Sequence, residues 1–281
     1  MDILNLYNIG FEILKKNKIK NTRLECEILL SHILEIERYK IYTEKIEVPE
    51  IIKRRFLTFI KKRIKGVPLQ YITKEVYFFE NKFKIEKGVF IPRPETELLV
   101  EKTIKIYREN FYPEYIKILD IGTGCGNIAI SLAKNIENSY IIGVDISKKS
   151  LKISKENARL NKVDKKTNFK YSNLFSNINE KFDIIISNPP YIKKIEYDNL
   201  SIEIKNEPKR ALIAGEDGLK IIKMIIKESP FFLKKEGFLI LEIGYNQFED
   251  LKKIIPYKLN LISIEKDFNG YDRILVFKRR N

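Results

Sequence analysis

Four consecutive residues, Asn188, Pro189, Pro190 and Tyr191, have the types and the order needed to hold a flat amino group. Asn188 offers a side-chain carbonyl, and Pro189 offers a backbone carbonyl for which no proline N–H competes. Tyr191 offers a ring face on which a planar group can stack. This set suits a planar –NH2 group, either a carboxamide or the exocyclic amine of a base. Because Asn-Pro and Pro-Pro also occur in ordinary turns, the motif needs support from elsewhere in the chain.

A second candidate site lies upstream, where an apolar run ends at Asp120 and continues into the glycine-rich loop 122–126. Glycines let backbone N–H groups come close to a ligand. Residues 127–134 then have the apolar spacing of a helix. The next apolar segment ends in Asp145, whose carboxylate is placed to accept hydrogen bonds from ribose hydroxyls. The sequence therefore predicts a nucleotide-type cradle built from a strand, a loop and a helix.

The glycine loop alone fits two kinds of cofactor. Gly124, Gly126 and Ala129 satisfy the pattern G-x-G-x-x-A, which is typical of dinucleotide binding. Asp120, however, comes just before the glycines, where it can meet a cationic amino group but would repel a pyrophosphate. The motif that begins at Asn188 also has no evident role in hydride transfer. These two observations favour S-adenosylmethionine as the cofactor.

Alternating strands and helices are expected to position both motifs. They are predicted at 116–120, 127–135, 140–145, 148–160, 167–171, 183–187, 217–228, 237–243 and 246–255. This alternation predicts an α/β fold with a mainly parallel sheet that is covered by helices on both faces. Two strands at 259–265 and 273–278 follow without a helix between them, which indicates an antiparallel pair at the sheet edge. In such sheets ligands bind at the carboxyl ends of the strands, where both motifs fall.

Three parts follow one another along the chain in this interpretation. Residues 1–74 read as a small helical domain, with a capping-box pattern at 22–25 and a further helix that starts at Pro49. Residues 75–90 read as a β-hairpin linker. Residues 91–281 contain both motifs and form the third part.

The composition excludes several classes of function. No segment approaches eighteen uninterrupted apolar residues, so no membrane span is predicted, and the start of the sequence lacks a secretion signature, which favours the cytoplasm. Cys26 and Cys125 match no metal or disulfide spacing, and no metal site is predicted. His32 is the one histidine and lies in a helical pattern, which argues against Ser-His or Cys-His catalysis. The net charge of +15 is spread along the chain, so direct binding of nucleic acid is not predicted from it.

Seven segments together resemble the HemK/PrmC family, the protein-(glutamine-N5) methyltransferases of peptide-chain release factors. They are R-L-E-C-E-I-L-L-S-H-I-L at 23–34, V-P-L-Q-Y-I at 67–72, G-V-F-I-P-R-P-E-T-E at 88–97, D-I-G-T-G-C-G at 120–126, N-P-P-Y at 188–191, E-P-K-R-A-L at 207–212 and G-E-D-G-L at 215–219. The glycine loop and N-P-P-Y are shared by many methyltransferases. The I-P-R-P-E-T-E element combined with an N-terminal helical domain is much more specific.

The resemblance implies a class I S-adenosylmethionine-dependent methyltransferase with a Rossmann-like, seven-stranded sheet whose last strand is antiparallel. It implies that residues 1–74 contact the substrate protein and that residues 91–281 form the catalytic domain. The implied substrate is the glutamine of the Gly-Gly-Gln loop of a release factor, which would be gripped by residues 188–191. The implied cofactor residues are Phe90, Asp120, Gly122, Thr123, Gly124, Cys125, Gly126, Asp145, Asn173, Leu174 and Asn188.

The sequence departs from the family at Asn173-Leu174, where an Asp followed by an aromatic residue is common. Asn173 can still accept a hydrogen bond from the adenine amino group, but without charge assistance. Leu174 cannot stack as an aromatic ring would. We therefore expect the same cofactor site with weaker binding of the adenine.

Three other functions share this chemistry or this fold. A glutamine methyltransferase of a ribosomal protein would have the same N-P-P-Y core, and an adenine-N6 methyltransferase of nucleic acid acts on an exocyclic amine. A non-enzymatic scaffold would be expected to have a damaged glycine loop or N-P-P-Y motif, and both are intact here. For the release factor enzyme and for both alternative enzymes, the predicted mechanism has Asn188 and the Pro189 carbonyl accept two N–H bonds, and no dedicated base acts.

Overall fold

The computed structural model describes all 281 residues. Its helices are α1 (Ile3–Lys16), α2 (Thr22–Leu34), α3 (Lys40–Thr43), α4 (Glu50–Ile64), α5 (Leu69–Thr73), α6 (Glu97–Asn110), α7 (Asn127–Asn135), α8 (Lys148–Leu160), α9 (Ile202–Lys205), α10 (Lys220–Phe232) and α11 (Phe248–Lys252). Its strands are β1 (Glu75–Phe78), β2 (Asn81–Lys84), β3 (Ile116–Ile121), β4 (Ser139–Asp145), β5 (Thr167–Tyr171), β6 (Phe182–Ser187), β7 (Leu233–Glu242), β8 (Leu259–Lys266) and β9 (Asp272–Arg279). Short 3-10 turns occur at Pro94–Thr96, Lys194–Asn199 and Lys209–Ala211. None of the helices combines the length and the apolar character that crossing a membrane requires.

The chain forms two compact units. One contains Met1–Lys74 together with Ser201–Asn206, and the other contains Glu75–Leu200 together with Glu207–Asn281. In the first unit, helices α1, α2 and α4 pack around a shared apolar core. Pro49 stands immediately before α4, where its missing N–H is not needed by the helix. Sequence analysis did not anticipate that Ser201–Asn206 would join this helical unit.

An ionic cluster around the buried Arg63 holds that late segment within the helical unit. Arg63, at the end of α4, is 1% exposed and donates hydrogen bonds to Glu25 on α2 and Glu203 on α9. Asn206 adds a hydrogen bond of 3.0 Å from its Nδ2 to the carbonyl of Gly66. Gly66 has a φ of +79°, and a Cβ there would lie 2.5 Å from the Ile202 side chain, so only glycine fits.

A seven-stranded sheet with the order β5-β4-β3-β6-β7-β9-β8 forms the second unit. Strands β5, β4, β3, β6 and β7 are parallel, whereas β9 runs antiparallel to both β7 and β8. The prediction of a mainly parallel sheet with an antiparallel pair at its edge is therefore confirmed. The hairpin of β1 and β2 forms a separate two-stranded sheet.

Side chains of the central strands alternate between two apolar cores, as the pleat of a strand requires. On β6, Ile184 and Ile186 belong to the core beneath α6, α7 and α8, whereas Ile185 belongs to the core beneath α10 and α11. Every residue of β6 is buried. This double burial explains why three isoleucines, 184–186, follow one another in the middle of the strand.

Three local predictions were wrong. The predicted capping box at 22–25 does not form, because Asn21, with a φ of 52°, is the residue before α2 and the Thr22 hydroxyl donates to the Ile19 carbonyl instead. The helix predicted at 217–228 begins at Lys220 and ends at Phe232, since Gly218 occupies a turn with a φ of +73°. The helix predicted at 246–255 covers only Phe248–Lys252.

Candidate active site

The two motifs leave neighbouring strands at the same edge of the sheet. Strands β3 and β6 are parallel, and their last residues, Ile121 and Ser187, are paired. The Ser187 hydroxyl also donates to the Ile121 carbonyl at 2.7 Å, which fixes the two strand ends together. The glycine loop 122–126 and the motif 188–191 therefore begin side by side, where the sheet order reverses direction and α/β proteins bind ligands.

The glycine loop begins with backbone in the left-handed region that faces open space. Gly122 and Gly124 have φ values of +73° and +56°, in the left-handed region that other residues avoid. A Cβ added to Gly122 would meet no atom within 4 Å, so this backbone faces an open volume. The loop thus offers exposed backbone to a ligand.

Asp145 connects the end of β4 to this loop. Its Oδ2 accepts a hydrogen bond of 3.0 Å from the Gly124 N–H, and its Oδ1 accepts one of 2.7 Å from the Ser147 N–H. Burial raises the pKa of the Asp145 carboxyl, while these two N–H groups and the charge of Arg210 act to lower it. Each oxygen retains a further lone pair that can accept from a ligand hydroxyl.

Asp120, on β3, is bonded to the glycine loop through Thr123. It is completely buried, and its Oδ2 accepts a hydrogen bond of 2.6 Å from the Thr123 hydroxyl. Its Oδ1 is buried without a partner. Burial raises the pKa of Asp120 to about 7, and the Thr123 hydroxyl and the nearby Ala129 N–H act to lower it. An unpaired buried carboxylate oxygen is costly, which indicates that it awaits a donor or a cation.

Cys125 is a packing residue of the loop. Its side chain is buried, and burial raises the pKa of its thiol to about 12. Its backbone carbonyl accepts a hydrogen bond of 2.9 Å from Asn157 on α8. Gly126 precedes α7 with a φ of +86°, and a Cβ there would lie 3.0 Å from Ile130. Both residues shape the loop by being small.

The side chain of Asn188 is held in one orientation. Its Nδ2 donates a hydrogen bond of 2.8 Å to the hydroxyl of Thr96, which is 1% exposed and lies immediately before α6. With its nitrogen engaged, Asn188 presents Oδ1 as its free acceptor. Pro189 is buried and Pro190 is partly buried. This arrangement gives the motif the side-chain carbonyl that its sequence predicted.

Tyr191 and Glu242 meet behind the motif. The pKa of Tyr191 is raised to about 12, first by burial and then by the charge of Glu242. The Tyr191 carbonyl accepts a hydrogen bond of 3.0 Å from Gln247. Glu242 is the last residue of β7 and is 1% exposed, and its Oε2 has no partner.

A buried carboxylate fixes the segment that carries Phe90. Glu207 accepts a hydrogen bond of 3.0 Å from the Ile91 N–H and forms an ion pair with Arg93. The guanidinium of Arg93 lies 4.7 Å from the centre of the Phe90 ring. Phe90 itself is partly buried. Its position is therefore set by a cation–π contact and by the hydrogen bonds of its neighbours.

Asn173 and Leu174 follow β5 at the carboxyl edge of the sheet. Asn173 is exposed, and its backbone N–H donates to the Ser176 hydroxyl at 3.1 Å. Leu174 has a φ of +51°, which is uncommon for a branched side chain. Leu174 also packs against the core beneath α10.

Three polar residues of this region were not predicted from the residue patterns as site residues: Thr96, Glu207 and Glu242. A signal existed for Glu242, because it is the one acidic residue closing the apolar run 238–242. Thr96 and Glu207 lie 92 residues or more from Asn188 and Ile91, the groups they contact, and no local pattern reports such distances.

S-adenosylmethionine fits the residues that are present. The glycine backbone faces open space, Asp145 retains lone pairs for ribose hydroxyls, and Asp120 has an unpaired buried oxygen above which the loop passes. A sheet of this topology with this loop defines the class I S-adenosylmethionine-dependent methyltransferases, and the chain is a member of that class.

The comparisons with known proteins identify the family. A family model described as "PrmC N-terminal domain" matches residues 5–73, and one described as "Methyltransferase small domain" matches residues 82–215. The release factor glutamine methyltransferase of Fusobacterium nucleatum is 41% identical over 282 residues, covering 98% of this chain and 78% of that protein. The enzyme of the same name from Thermodesulfovibrio yellowstonii is 38% identical over 267 residues, covering 94% of this chain and 95% of that protein.

A solved methyltransferase from Pyrococcus furiosus has a similar fold, with a TM-score of 0.54 and 16% identity over 83% of this chain and all of that chain. That likeness concerns the fold alone. The similarity to the sequence relatives also shows the family. The chain belongs to the release factor glutamine methyltransferase family, and the resemblance to it is confirmed.

Proposed function

We propose that this protein transfers the methyl group of S-adenosylmethionine to the side-chain amide nitrogen of the glutamine in the Gly-Gly-Gln motif of a peptide-chain release factor. The names of its relatives support this substrate. The observation that carries the proposal is the orientation of Asn188, whose Nδ2 is taken by Thr96 so that Oδ1 can accept. An acceptor fixed beside a nucleotide-type loop suits an amide that must be held while it is methylated.

Residues 188–191 orient the amide. An amide nitrogen is a poor nucleophile because its lone pair is delocalised into the carbonyl. Asn188 Oδ1 and the Pro189 carbonyl accept the two N–H bonds, and the Tyr191 ring holds the plane of the group. As positive charge builds on the nitrogen, both acceptors stabilise it more strongly than they stabilise the ground state. Fixing the amide in place supplies much of the remaining rate enhancement.

Residues of the glycine loop hold the cofactor in this proposal. When bound, S-adenosylmethionine supplies an electrophilic methyl group attached to a sulfonium. Asp145 accepts from its ribose hydroxyls, and Asp120 interacts with its cationic amino group. The loop residues Gly122, Thr123, Gly124, Cys125 and Gly126 line it, Phe90 forms a wall of its pocket, and Asn173 and Leu174 contact its adenine.

No base acts before methyl transfer in this proposal. The nitrogen becomes acidic only once the methyl group has been added, and its extra proton then leaves to water. His32, the one histidine, lies on α2 in the other unit of the chain. In this proposal residues 1–74 contact the release factor and residues 91–281 perform the chemistry. Residues 75–90 link these two parts. The reaction takes place in the cytoplasm.

Methyl transfer from labelled S-adenosylmethionine tests the proposed function. The acceptors are the release factor of the same organism, that factor with its Gly-Gly-Gln glutamine replaced by alanine, a ribosomal protein fraction, and DNA. Label on the intact factor but not on its alanine variant is the expected result. Label only on ribosomal protein or only on nucleic acid would replace the substrate and keep the amine-methylating chemistry.

Asn188→Ala tests the role of the motif. We expect turnover to fall by about a thousandfold while binding of S-adenosylmethionine is retained, since one oriented acceptor of developing charge is lost. Asn260→Ala is the matched control, because Asn260 is an exposed asparagine on the edge strand β8. An Asn188→Ala protein as active as the control would contradict the mechanism.

A further inference from the structure

Resting on the role proposed for Asn188, we infer that Thr96 and Glu242 are positioning residues that set which end of the Asn188 amide faces the substrate. In the relay of these three side chains, Asn188 donates to Thr96, and Thr96 would in turn direct its own proton to Glu242, the residue that the strand register places beside Asn188. The relay lies behind the substrate amide, and neither Thr96 nor Glu242 is required to touch it.

Sheet register brings the relay together. Strands β6 and β7 are parallel, and Ser187 is paired with Leu241. Asn188 follows the last residue of β6 and Glu242 is the last residue of β7, so the two residues are neighbours at the end of the sheet. Thr96 completes the set from the turn before α6, and its hydroxyl lies 2.8 Å from Asn188 Nδ2. Three separate elements therefore converge on one buried hydroxyl.

The hydroxyl of Thr96 has a single proton, and this fixes the direction of the relay. An amide nitrogen only donates, so the Thr96 oxygen accepts from Asn188 and must direct its own proton elsewhere. The Glu242 carboxyl is the partner, and hydrogen bonds from Thr96 and Tyr191 act to lower its pKa. An ionised carboxylate only accepts. As long as Glu242 is ionised, Asn188 must present Oδ1 to the substrate.

Burial of Glu242 serves this relay at the expense of stability. The residue is 1% exposed and its Oε2 has no partner, which is unfavourable for a charged group. The nearby charged and titratable groups are Tyr191, Arg273 and Glu95. Arg273 makes its hydrogen bonds to Asp267 and to the Ile243 carbonyl, so it does not form an ion pair with Glu242.

Protonation of Glu242 removes the constraint. Burial raises its pKa to about 7, so the neutral form becomes populated as the pH falls through neutrality. A neutral carboxyl can donate to Thr96, whose own proton is then free to turn toward Asn188. The Asn188 amide can rotate to accept it and would present Nδ2 to the substrate, where two donors face each other. Ionised Glu242 is therefore the form that supports methyl transfer.

The kinetic test uses Thr96→Val, Thr96→Ser and Glu242→Gln in the full-length protein, with the release factor as acceptor. Thr96→Val should lower kcat by about tenfold to a hundredfold without weakening S-adenosylmethionine binding, and Thr96→Ser should restore it. Wild-type kcat should rise with a midpoint near pH 7, the pKa of Glu242. Glu242→Gln should be slower and should lack that rise. A Thr96→Val protein with unchanged kcat, or a Glu242→Gln protein that retains the rise, would overturn the relay.

A second measurement works without substrate or cofactor, so it separates failure of the relay from failure of the proposed function. Glutamate labelled with 13C at the carboxyl carbon allows Glu242 to be titrated by NMR, with Glu242→Gln identifying its signal. Thr96→Val should raise the Glu242 midpoint, because the hydrogen bond from Thr96 lowers it. An unmoved midpoint refutes the relay. A moved midpoint in a protein that does not methylate the release factor supports the relay and rejects the substrate.

Discussion

Replacing Arg63 with methionine should destabilise the helical unit more than any change on its surface. The guanidinium donates to Glu25 through Nε and through Nη2 at 3.0 Å, and to Glu203 through Nη2 at 2.6 Å. Methionine keeps an apolar stem of similar length and removes all three charged hydrogen bonds. The two carboxylates are then left facing each other.

The magnitude follows from how well each carboxylate can recover water. The side chain of Glu25 is 12% exposed, so it stays nearly dry when its partner is removed. The side chain of Glu203 is 44% exposed and can rehydrate. Removing one partner of a buried ion pair costs roughly 3–5 kcal/mol. Because Glu203 rehydrates and Arg63 itself has an unpaired buried Nη1, we expect the lower end, about 3 kcal/mol.

Urea unfolding followed by far-UV circular dichroism measures this loss. Arg54→Met is the matched control on the same helix, since the Arg54 and Glu50 side chains are 76% and 59% exposed at 3.4 Å and contribute under about 0.5 kcal/mol. Adding Glu25→Met to Arg63→Met should recover most of the lost stability, because the buried charge is removed with its partner. An Arg63→Met protein as stable as Arg54→Met would refute this reasoning.

Three further outcomes are expected. Asp145→Asn should weaken S-adenosylmethionine by about tenfold or more in calorimetry, because an amide cannot accept from both the Gly124 and Ser147 N–H groups; exposed Asp164→Asn is its control. Cys26 and Cys125, whose burial raises both pKa values to about 12, should react with a thiol reagent only after unfolding, and reaction in the native state would contradict this. Because the pKa of Asp120 is raised from 3.8 to about 7, its neutral form contributes stability at acid pH that is lost as the pH rises to about 7. Between pH 4 and pH 8, wild type should therefore lose about 4 kcal/mol of unfolding free energy that Asp120→Asn does not lose, and parallel stability curves for the two proteins would argue against this.

Local patterns were sufficient to predict the sheet. The largely apolar sequence of β6 predicts a buried strand, and the glycines after β3 predict a turn at the end of a strand. Each of these predictions depends only on a short stretch of sequence. Once the sheet is parallel, the carboxyl ends of β3 and β6 must share one edge. The placement of loop 122–126 and motif 188–191 at that edge followed from this geometry, whereas the direct pairing of β3 with β6 is a finding of the structure.

Contacts across long sequence separations could not be predicted. Thr96 lies 92 residues from Asn188, and Glu203 lies 140 residues from Arg63. The local sequence around each of these residues does not predict its distant partner, because a polar residue at a helix end can form hydrogen bonds with many nearby backbone groups. Thr22 shows the converse case: its pattern predicted a cap, but the backbone at Asn21 turned the hydroxyl to Ile19.

Ser201–Asn206 belongs to the helical unit, although residues of the other unit come before and after it along the chain. Three peptide connections join the units, after Lys74, Leu200 and Asn206. Cutting the chain after Lys74 would therefore leave a nicked protein whose first fragment still holds the second through the hydrogen bonds of Arg63 and Asn206.

A shortened protein that starts near residue 75 consequently still contains one segment of the helical unit, Ser201–Asn206. It retains Glu203 without Arg63 and Asn206 without the Gly66 carbonyl. To replace the helical unit with that of a relative, both parts of the unit have to be exchanged, residues 1–74 and Ser201–Asn206. Moving the helical unit between such proteins thus requires two segments of chain to be moved together.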